Sequence, residues 1–154
     1  MIKINPMSFI RLNYHIVFAT KRREPTIDLA NERRVYALLF SIMKKYGATV
    51  FRIGGMPDHV HICVSIPPTI AVSDFVKHVK RESSLAIKQN SILAKWDGWQ
   101  NGSGCFSYSK NDVDNIVNYI KGQKEHHRKR SFIDEYRAWL IENGVSSDEP
   151  YFPD

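Results

Sequence analysis

The order of strand-like and helix-like segments along the chain limits its fold more than any other feature. Segments that alternate apolar and polar residues, as half-buried strands do, are interleaved with segments whose apolar residues recur every three to four positions, as in helices. The order is strand, helix, strand, strand, helix, strand. In the first of these strands the alternating apolar residues are Ile10, Leu12, Tyr14, Ile16 and Phe18.

The first helix is predicted to begin with Asp28 as its N-cap, to run to Tyr46 and to be ended by Gly47. Its predicted buried residues are Leu29, Tyr36, Leu39, Phe40 and Met43. The other predicted elements are a second strand over 49–53 that stops at Gly54-Gly55, a third strand over 59–66, a second helix over about 71–90, a short fourth strand around 105–109, a third helix from 111 or 112 to about 130, and a last helix capped by Ser131.

This order of elements predicts an α+β fold of the ferredoxin-like, split βαβ type, in which an antiparallel β-α-β-β-α-β sheet carries a third helix and a C-terminal helix in addition. The 154 residues fit one domain over 1–154, with a tail over roughly 143–154. In this fold the first and third strands are central neighbours, and their apolar faces pack on the first two helices. The functional side chains are therefore expected on the opposite, polar face of the sheet. This face carries Asn13, His15, His59, His61, Cys63 and Ser65.

Composition narrows the classes of function. The formal net charge of +6 suits a polyanionic partner. Cys63 and Cys105 are too few for a disulfide framework and lack the CxxC spacing of a structural zinc site, so reduced thiols are expected. Met1–Pro6 has no secretory signal pattern, and no apolar run approaches the ~20 residues that a membrane span needs, so a cytoplasmic protein without a membrane partner is expected.

The third predicted strand begins with His59-Val60-His61. Residues two apart on a strand point the same way, so both imidazoles face one point a few ångströms apart. Two such rings suit one divalent metal and leave coordination positions open for a substrate oxygen. Taken alone, the motif also fits an ordinary polar strand surface. Whether the two histidines bind a metal therefore depends on residues from other segments.

The third predicted helix offers such partners. At about 100° per residue, Tyr119, Gln123 and His126 fall on one flank of the helix's apolar stripe, whereas His127 falls inside it. A tyrosine one turn before a glutamine can present a nucleophile and a neutral oxygen ligand to the same point. Spacing alone favours a purely structural role for Tyr119, as an amphipathic residue at a helix margin. The residues of the apolar stripe are Val113, Ile116, Val117 and Ile120.

Several segments, in matching order and spacing over roughly residues 8 to 140, resemble the single-tyrosine HUH transposases of small insertion sequences and their REP-associated relatives. These segments are Pro57-Asp58-His59-Val60-His61, Lys80-Arg81-Glu82-Ser83-Ser84, Gly104-Cys105-Phe106-Ser107-Tyr108-Ser109, and Tyr119-Ile120-Lys121-Gly122-Gln123 followed by His126-His127-Arg128-Lys129.

The resemblance implies that His59 and His61 bind the metal, that Gln123 is the third ligand and that Tyr119 is the nucleophile. It implies cleavage and transfer of single-stranded DNA through a 5′-phosphotyrosine. It also implies a homodimer in which the tyrosine helix of one subunit can complete the site of the other.

The implied ligands carry no charge, so Mg²⁺ or Mn²⁺ would be held weakly until a phosphate oxygen joins the site. Metal binding is then expected to be coupled to DNA binding. A free tyrosine has a pKa of ~10, so the phenol needs help to lose its proton. Lys121, His126 and His127 are nearby in sequence, with His15 as a further supporting group, and the sequence does not choose among them.

Basic residues predict a path for the DNA. Lys77, Arg81 and Lys88 fall within a narrow arc of the second helix, opposite its apolar stripe. Arg22, Arg23 and Arg128 belong to two further basic clusters, although a solvated face explains any one such residue equally well. The aromatic residues Trp96, Trp99 and Tyr108 either stack on unpaired bases or, for the tryptophans, pack against the C-terminal helix. Single-stranded DNA with a hairpin is the expected partner.

Two alternatives stay open at this point. The first is a catalytically silent or domesticated DNA-binding relative, against which the intact His59, His61, Tyr119 and Gln123 argue. The second is a zinc protein that uses His59, His61 and Cys63, although three ligands within one strand are geometrically cramped.

Overall fold

The computed structural model describes residues 8–150 and 152–153. The strands are β1 (Asn13–Ala19), β2 (Thr49–Met56), β3 (His59–Ser65) and β4 (Gly104–Tyr108). The helices are α1 (Glu32–Lys45), α2 (Val72–Gln89), α3 (Val113–Lys121), α4 (Gln123–His126) and α5 (Phe132–Glu142).

The strands form one antiparallel sheet in the order β2-β3-β1-β4. β1 and β3 are therefore the central neighbours, which confirms the predicted ferredoxin-like arrangement.

Among the described residues, no helix is long and apolar enough to cross a membrane. Residues 1–7, 151 and 154 lie outside the described part of the chain, and with them the segment Met1–Pro6. Within the segment predicted to be a tail, the carbonyl of Pro153 accepts a hydrogen bond from Arg137 Nε of α5 at 2.7 Å.

One face of the sheet packs on α1 and α2 and forms the main hydrophobic core. The predicted start of the first helix was wrong, because Asp28 precedes it and instead accepts hydrogen bonds from Asn31 in a turn. Leu29 therefore precedes the helix and is 72% exposed, and Phe40, which lies within α1, is 44% exposed, so neither is buried as predicted. The buried residues of α1 are Val35, Leu39, Ile42 and Met43.

The opposite face of the sheet is covered as well, by α3 and α5. On α3, Ile116 and Ile120 pack against Cys63, and on α5, Phe132 packs against Val17 and Ala19. The central strands are therefore buried on both sides. Their polar residues on this face are sealed from water and need internal partners.

The predicted continuous third helix is interrupted at Gly122. α3 ends at Lys121, Gly122 adopts φ −85° and ψ 7°, and α4 begins at Gln123. Glycine is a weak helix former, so a change of backbone direction costs least there. Gln123, the first residue after this interruption, is fully buried.

β2 is longer than predicted, since Gly54 and Gly55 lie within the strand rather than after it. A Cβ added at Gly54 would lie 2.8 Å from Ile120 Cγ2 and 3.0 Å from the Ile120 carbonyl oxygen. The absence of a side chain at Gly54 therefore lets α3 approach the sheet closely.

We expect Gly54→Ala to lower the free energy of unfolding by about 1–3 kcal/mol, because the added methyl group meets the backbone of α3 rather than the end of a flexible side chain. Denaturant-induced unfolding measures this change. The exposed Ser41→Ala on α1 is the control and should stay within about 0.5 kcal/mol of the parent protein. Equal stability of the two variants would contradict the close approach.

Candidate active site

β3 carries the histidine pair into the space beneath α3 and α5. His59 and His61 face the same side of the sheet, their ring centroids are 5.0 Å apart, and both are buried. In the register of the sheet, His61 pairs with Val17 and His59 with Ala19 of β1. The predicted convergence of the two imidazoles is present.

The helical segment across Gly122 brings two more predicted groups to this pair. Gln123 Oε1 lies 3.1 Å from His59 Nε2, and the Tyr119 ring centroid lies 5.8 Å from that of His61. A tyrosine and a glutamine one turn apart therefore reach the same point, as their spacing predicts.

Glu135 of α5 is the central group that the sequence analysis missed. Its side chain is buried, and Oε1 lies 3.0 Å from His61 Nε2. Oε2 accepts hydrogen bonds from the Tyr119 hydroxyl at 2.5 Å and from Gln123 Nε2 at 3.1 Å. A signal for this residue was present, because Glu135 follows Phe132 by three positions and precedes Trp139 by four, which places a charge inside an apolar helical stripe.

The hydrogen-bond network shows that these residues fit a cation. Asp58 accepts from His59 Nδ1 at 2.7 Å, and the Gln123 amide nitrogen donates to Glu135, so the lone pair of His59 Nε2 faces the oxygen Gln123 Oε1. Glu135 Oε1 lies 3.7 Å from the same nitrogen. When Nε2 carries no proton, these acceptors face one another, and a metal cation between them would satisfy all three.

The ligand atoms of His59, His61 and Glu135 all lie within 4.8 Å of one another. Cys63 packs instead against Ile116 and Ile120, and burial raises the pKa of its thiol to about 11. The described residues therefore favour a His-His-Glu group, with Gln123 beside it, over the zinc site with Cys63.

Burial dominates the electrostatics of the site. It lowers the pKa of His61 to about 4, so this imidazole is neutral at neutral pH. Burial also opposes ionisation of Glu135, yet hydrogen bonds from His61, Tyr119 and Gln123 hold the pKa of this carboxyl well below its usual range. Burial, followed by the hydrogen bond to Glu135, raises the pKa of Tyr119 well above its ordinary value. The resting site thus contains one carboxylate, neutral His61 and a protonated phenol.

Of the predicted supporting groups, His15 is the one that is hydrogen-bonded to the histidine pair. Its Nε2 lies 2.8 Å from His61 Nδ1, and its ring lies 4.5 Å from that of Trp139. Burial lowers the pKa of His15 to about 3, so it is neutral and its Nε2 can accept a hydrogen bond from His61 Nδ1. The neutral His61 ring has one N–H, so when Nδ1 donates to His15, Nε2 no longer donates to Glu135 and is free as a ligand.

The other supporting groups differ in position. His127 Nε2 lies 3.3 Å from Glu135 Oε1. The ring of His126 stacks on that of Tyr119, at 4.8 Å between centroids, and His126 is exposed. Lys121 is exposed and makes no hydrogen bond or ion pair among the contacts found in the described residues.

A cavity of about 330 Å³ opens in front of the tyrosine. His15, Tyr108, Asn115, Tyr119 and Arg130 are among its lining residues. The nucleophile candidate is therefore reachable from solvent although the groups behind it are buried.

The predicted DNA-binding residues lie on the surface. Lys77 and Arg81 line a groove of about 610 Å³ between α2 and the loop 99–103, and Lys88 is exposed farther along α2. Arg22 forms ion pairs with Asp97 and Glu24, which compete with a phosphate for its guanidinium. Arg23 and Arg128 are exposed, and Arg128 lies 3.7 Å from Glu125.

The tryptophans pack on α2, so the alternative of burial against the C-terminal helix was wrong. Trp99 is buried and donates from Nε1 to Ser83 Oγ at 2.9 Å, and Trp96 donates from Nε1 to the Ser84 carbonyl at 3.2 Å. Tyr108 is half-buried and its hydroxyl accepts from Trp139 Nε1 at 3.0 Å. Stacking on DNA bases is therefore restricted for Trp99.

Comparison with known protein families agrees with the geometry of the site. The family model of IS200-like transposases matches residues 8–123. The chain belongs to the IS200-like transposase family. It is 30% identical over 117 residues to the transposase of the insertion sequence IS200 from Salmonella typhimurium, an alignment that covers 73% of this chain and 76% of that transposase. It is 28% identical over 120 residues to the ISDra2 transposase TnpA of Deinococcus radiodurans, covering 75% and 86%.

Two solved structures show the same fold as this IS200-like transposase. The crystal structure of a proposed transposase from Deinococcus radiodurans has a TM-score of 0.62 at 25% identity, and the match covers 79% of this chain and 98% of that one. The structure of a REP-associated tyrosine transposase bound to a REP hairpin has a TM-score of 0.55 at 12% identity, covering 97% and 81%. Glu135 lies beyond the span that the family model matches.

We expect His15→Ala to weaken Mn²⁺ binding by about 10–100-fold, because His61 loses the partner that fixes its ring and its proton. Isothermal titration of the purified IS200-like transposase with MnCl₂ measures the affinity. His78→Ala on α2, whose ring stacks on Tyr46 away from the histidine pair, is the matched control and should bind Mn²⁺ as the parent does. Unchanged affinity in His15→Ala would refute the supporting role of His15.

Proposed function

We propose that this transposase cleaves and rejoins single-stranded DNA through a covalent bond to Tyr119, with a divalent metal held by His59, His61 and Glu135 and with Gln123 as a further ligand. The observation that carries the proposal is the convergence of the Tyr119 hydroxyl on a buried group of two imidazoles and a carboxylate. A nucleophile beside a metal-binding group is the arrangement that phosphodiester transfer needs.

The carboxylate changes the expected metal chemistry. The ligand set predicted from the sequence was uncharged, whereas Glu135 adds one negative charge. Metal binding without DNA is therefore expected to be measurable, and the mixture of nitrogen and oxygen donors suits Mn²⁺ at least as well as Mg²⁺. When bound, the ion would withdraw electron density from a phosphate oxygen and stabilise the charge of the transition state.

The protein's own groups carry out the remaining steps. The Tyr119 oxygen attacks the scissile phosphorus, a 5′-phosphotyrosine bond forms, and the bond from phosphorus to the 3′-oxygen breaks. One phosphodiester replaces another of similar energy, so a 3′-hydroxyl of a second DNA end can reverse the reaction without ATP. This reversibility would allow the protein to join strands as well as to cut them.

The surface supports an unpaired strand as substrate. The cavity in front of Tyr119 carries Arg130 and Asn115, and the aromatic residues Tyr108 and Trp139 also line it. Aromatic side chains beside cations suit unpaired bases and their phosphates. The structural neighbour bound to a REP hairpin supports a hairpin as part of the substrate. Lys77, Arg81 and Lys88, with Arg22, Arg23 and Arg128, are the proposed phosphate contacts.

The site is complete within one chain in the described conformation, because α3 lies on its own sheet and Tyr119 contacts its own Glu135. A homodimer remains part of the proposal as an assembly for bringing two DNA ends together. In this conformation Tyr119 would act in cis, and exchange of α3 between subunits would be needed for action in trans.

Covalent capture tests the nucleophile. We expect Tyr119→Phe to retain its fold and its DNA affinity but to lose the covalent adduct with labelled single-stranded DNA, because phenylalanine has no oxygen to attack phosphorus. Denaturing gel electrophoresis in the presence of MnCl₂ detects the adduct. Tyr36→Phe, which loses only a hydroxyl contact to Glu32 on α1, is the control and should form the adduct at the parent yield. An adduct of undiminished yield in Tyr119→Phe would overturn the proposal.

Mixing two inactive variants tests the assembly. If Tyr119 acts in cis, a mixture of His61→Ala and Tyr119→Phe should remain inert even after subunit exchange, since no chain holds both the metal group and the nucleophile. A fluorescence energy-transfer signal between differently labelled chains verifies that subunits exchange. Cleavage recovered in the exchanged mixture would show instead that two subunits share a site.

A further inference from the structure

We propose that Glu135 is the catalytic residue that takes the proton from Tyr119 during strand cleavage; this role rests on the proposed function of Tyr119 as nucleophile. From the sequence, Lys121, His126 and His127 were the candidates for accepting this proton. The geometry instead favours a carboxylate from α5.

The contact with the phenol is direct. Glu135 Oε2 accepts from the Tyr119 hydroxyl at 2.5 Å, which is at the short end of the range for an O–H donor and a carboxylate. The other candidates do not make this contact: His126 stacks on the tyrosine ring, His127 lies against Glu135 Oε1, and Lys121 is exposed.

The two oxygens of Glu135 have separate surroundings. Oε1 faces His61 and His127, on the side of the metal-binding group. Oε2 faces Tyr119 and the Gln123 amide. One carboxylate oxygen can therefore serve as ligand while the other remains available to the phenol.

The backbone keeps this carboxylate in place. Glu135 lies in the first turn of α5, where Ser131 Oγ caps the helix by accepting from Asp134 N. The positive end of a helix stabilises an anion in its first turn. Phe132, one turn earlier, stacks on His59 at 4.2 Å and fixes α5 over the site.

The transfer of the proton from Tyr119 to Glu135 needs no further reactant. As the Tyr119 oxygen bonds to phosphorus, its O–H bond breaks and the proton moves to Glu135 Oε2. The bond from phosphorus to the 3′-oxygen breaks, and this oxygen takes a proton from water, which leaves hydroxide, to become the 3′-hydroxyl. In strand joining, the attacking 3′-hydroxyl gives its proton to hydroxide as its oxygen bonds to phosphorus, and the protonated Glu135 returns its proton to the Tyr119 oxygen as the phosphotyrosine bond breaks.

The test separates proton transfer from metal binding and from packing. Glu135→Gln keeps the size and an acceptor oxygen but lacks the charge and the basicity. At saturating MnCl₂, established by calorimetric titration of each variant, we expect adduct formation to slow by about 10²–10⁴-fold, with DNA affinity and melting temperature close to those of the parent. Glu149→Gln, an exposed acid away from the site, is the matched control and should react at the parent rate.

The decisive measurement replaces Tyr119 by a fluorinated tyrosine, whose phenol ionises more readily because fluorine withdraws electron density. If Glu135 takes the proton, the rate penalty of Glu135→Gln should shrink by at least about tenfold in the fluorinated protein, since the phenol then needs less help. An equal penalty in the two backgrounds would overturn the role and leave Glu135 as a ligand or a packing residue.

Adduct formation by the parent protein distinguishes the role of Glu135 from that of Tyr119. If the parent protein forms the adduct and Glu135→Gln forms it equally fast, Tyr119 remains the nucleophile and the role of Glu135 is refuted. If the parent protein forms no adduct with any single-stranded DNA from the flanks of its own gene, the proposed function fails, and the role of Glu135 falls with it.

Discussion

A single buried carboxylate connects the elements on the polar side of the sheet. Glu135 brings together α5, the helical segment across Gly122 and β3 through its contacts with Tyr119, Gln123 and His61. A buried charge is costly unless every lone pair finds a donor or a cation. The position of α5 over the sheet therefore depends on these polar groups as well as on the packing of Phe132.

The two faces of the sheet are stabilised in different ways. On the face beneath α1 and α2, burial of aliphatic and aromatic side chains supplies the stability. On the other face, small apolar clusters flank a polar centre that is almost as inaccessible to water. Rigid central strands thus hold His59 and His61, while the groups that meet them come from helices added to the ferredoxin-like core.

Local periodicity accounts for what the sequence could predict. Alternation along β1 and β3 was enough to place His15, His59 and His61 on one face, and helical spacing was enough to bring Tyr119 and Gln123 together. Glu135 was missed because its partner His61 lies 74 positions away, a separation over which periodicity says nothing. The interruption at Gly122 and the exposure of Leu29 and Phe40 likewise depend on how helices meet the sheet, not on their own pattern.

The location of Glu135 separates the charge of the site from the strands that carry the histidines. The family model ends at Gln123, whereas the acid is carried by a helix that begins at Phe132 and contacts the sheet mainly through its own side chains. The histidines, the tyrosine and the glutamine lie within the matched segment, and the carboxylate lies beyond it. A substitution in α5 can therefore change the charge of the polar centre while β1, β3 and α3 keep their own packing.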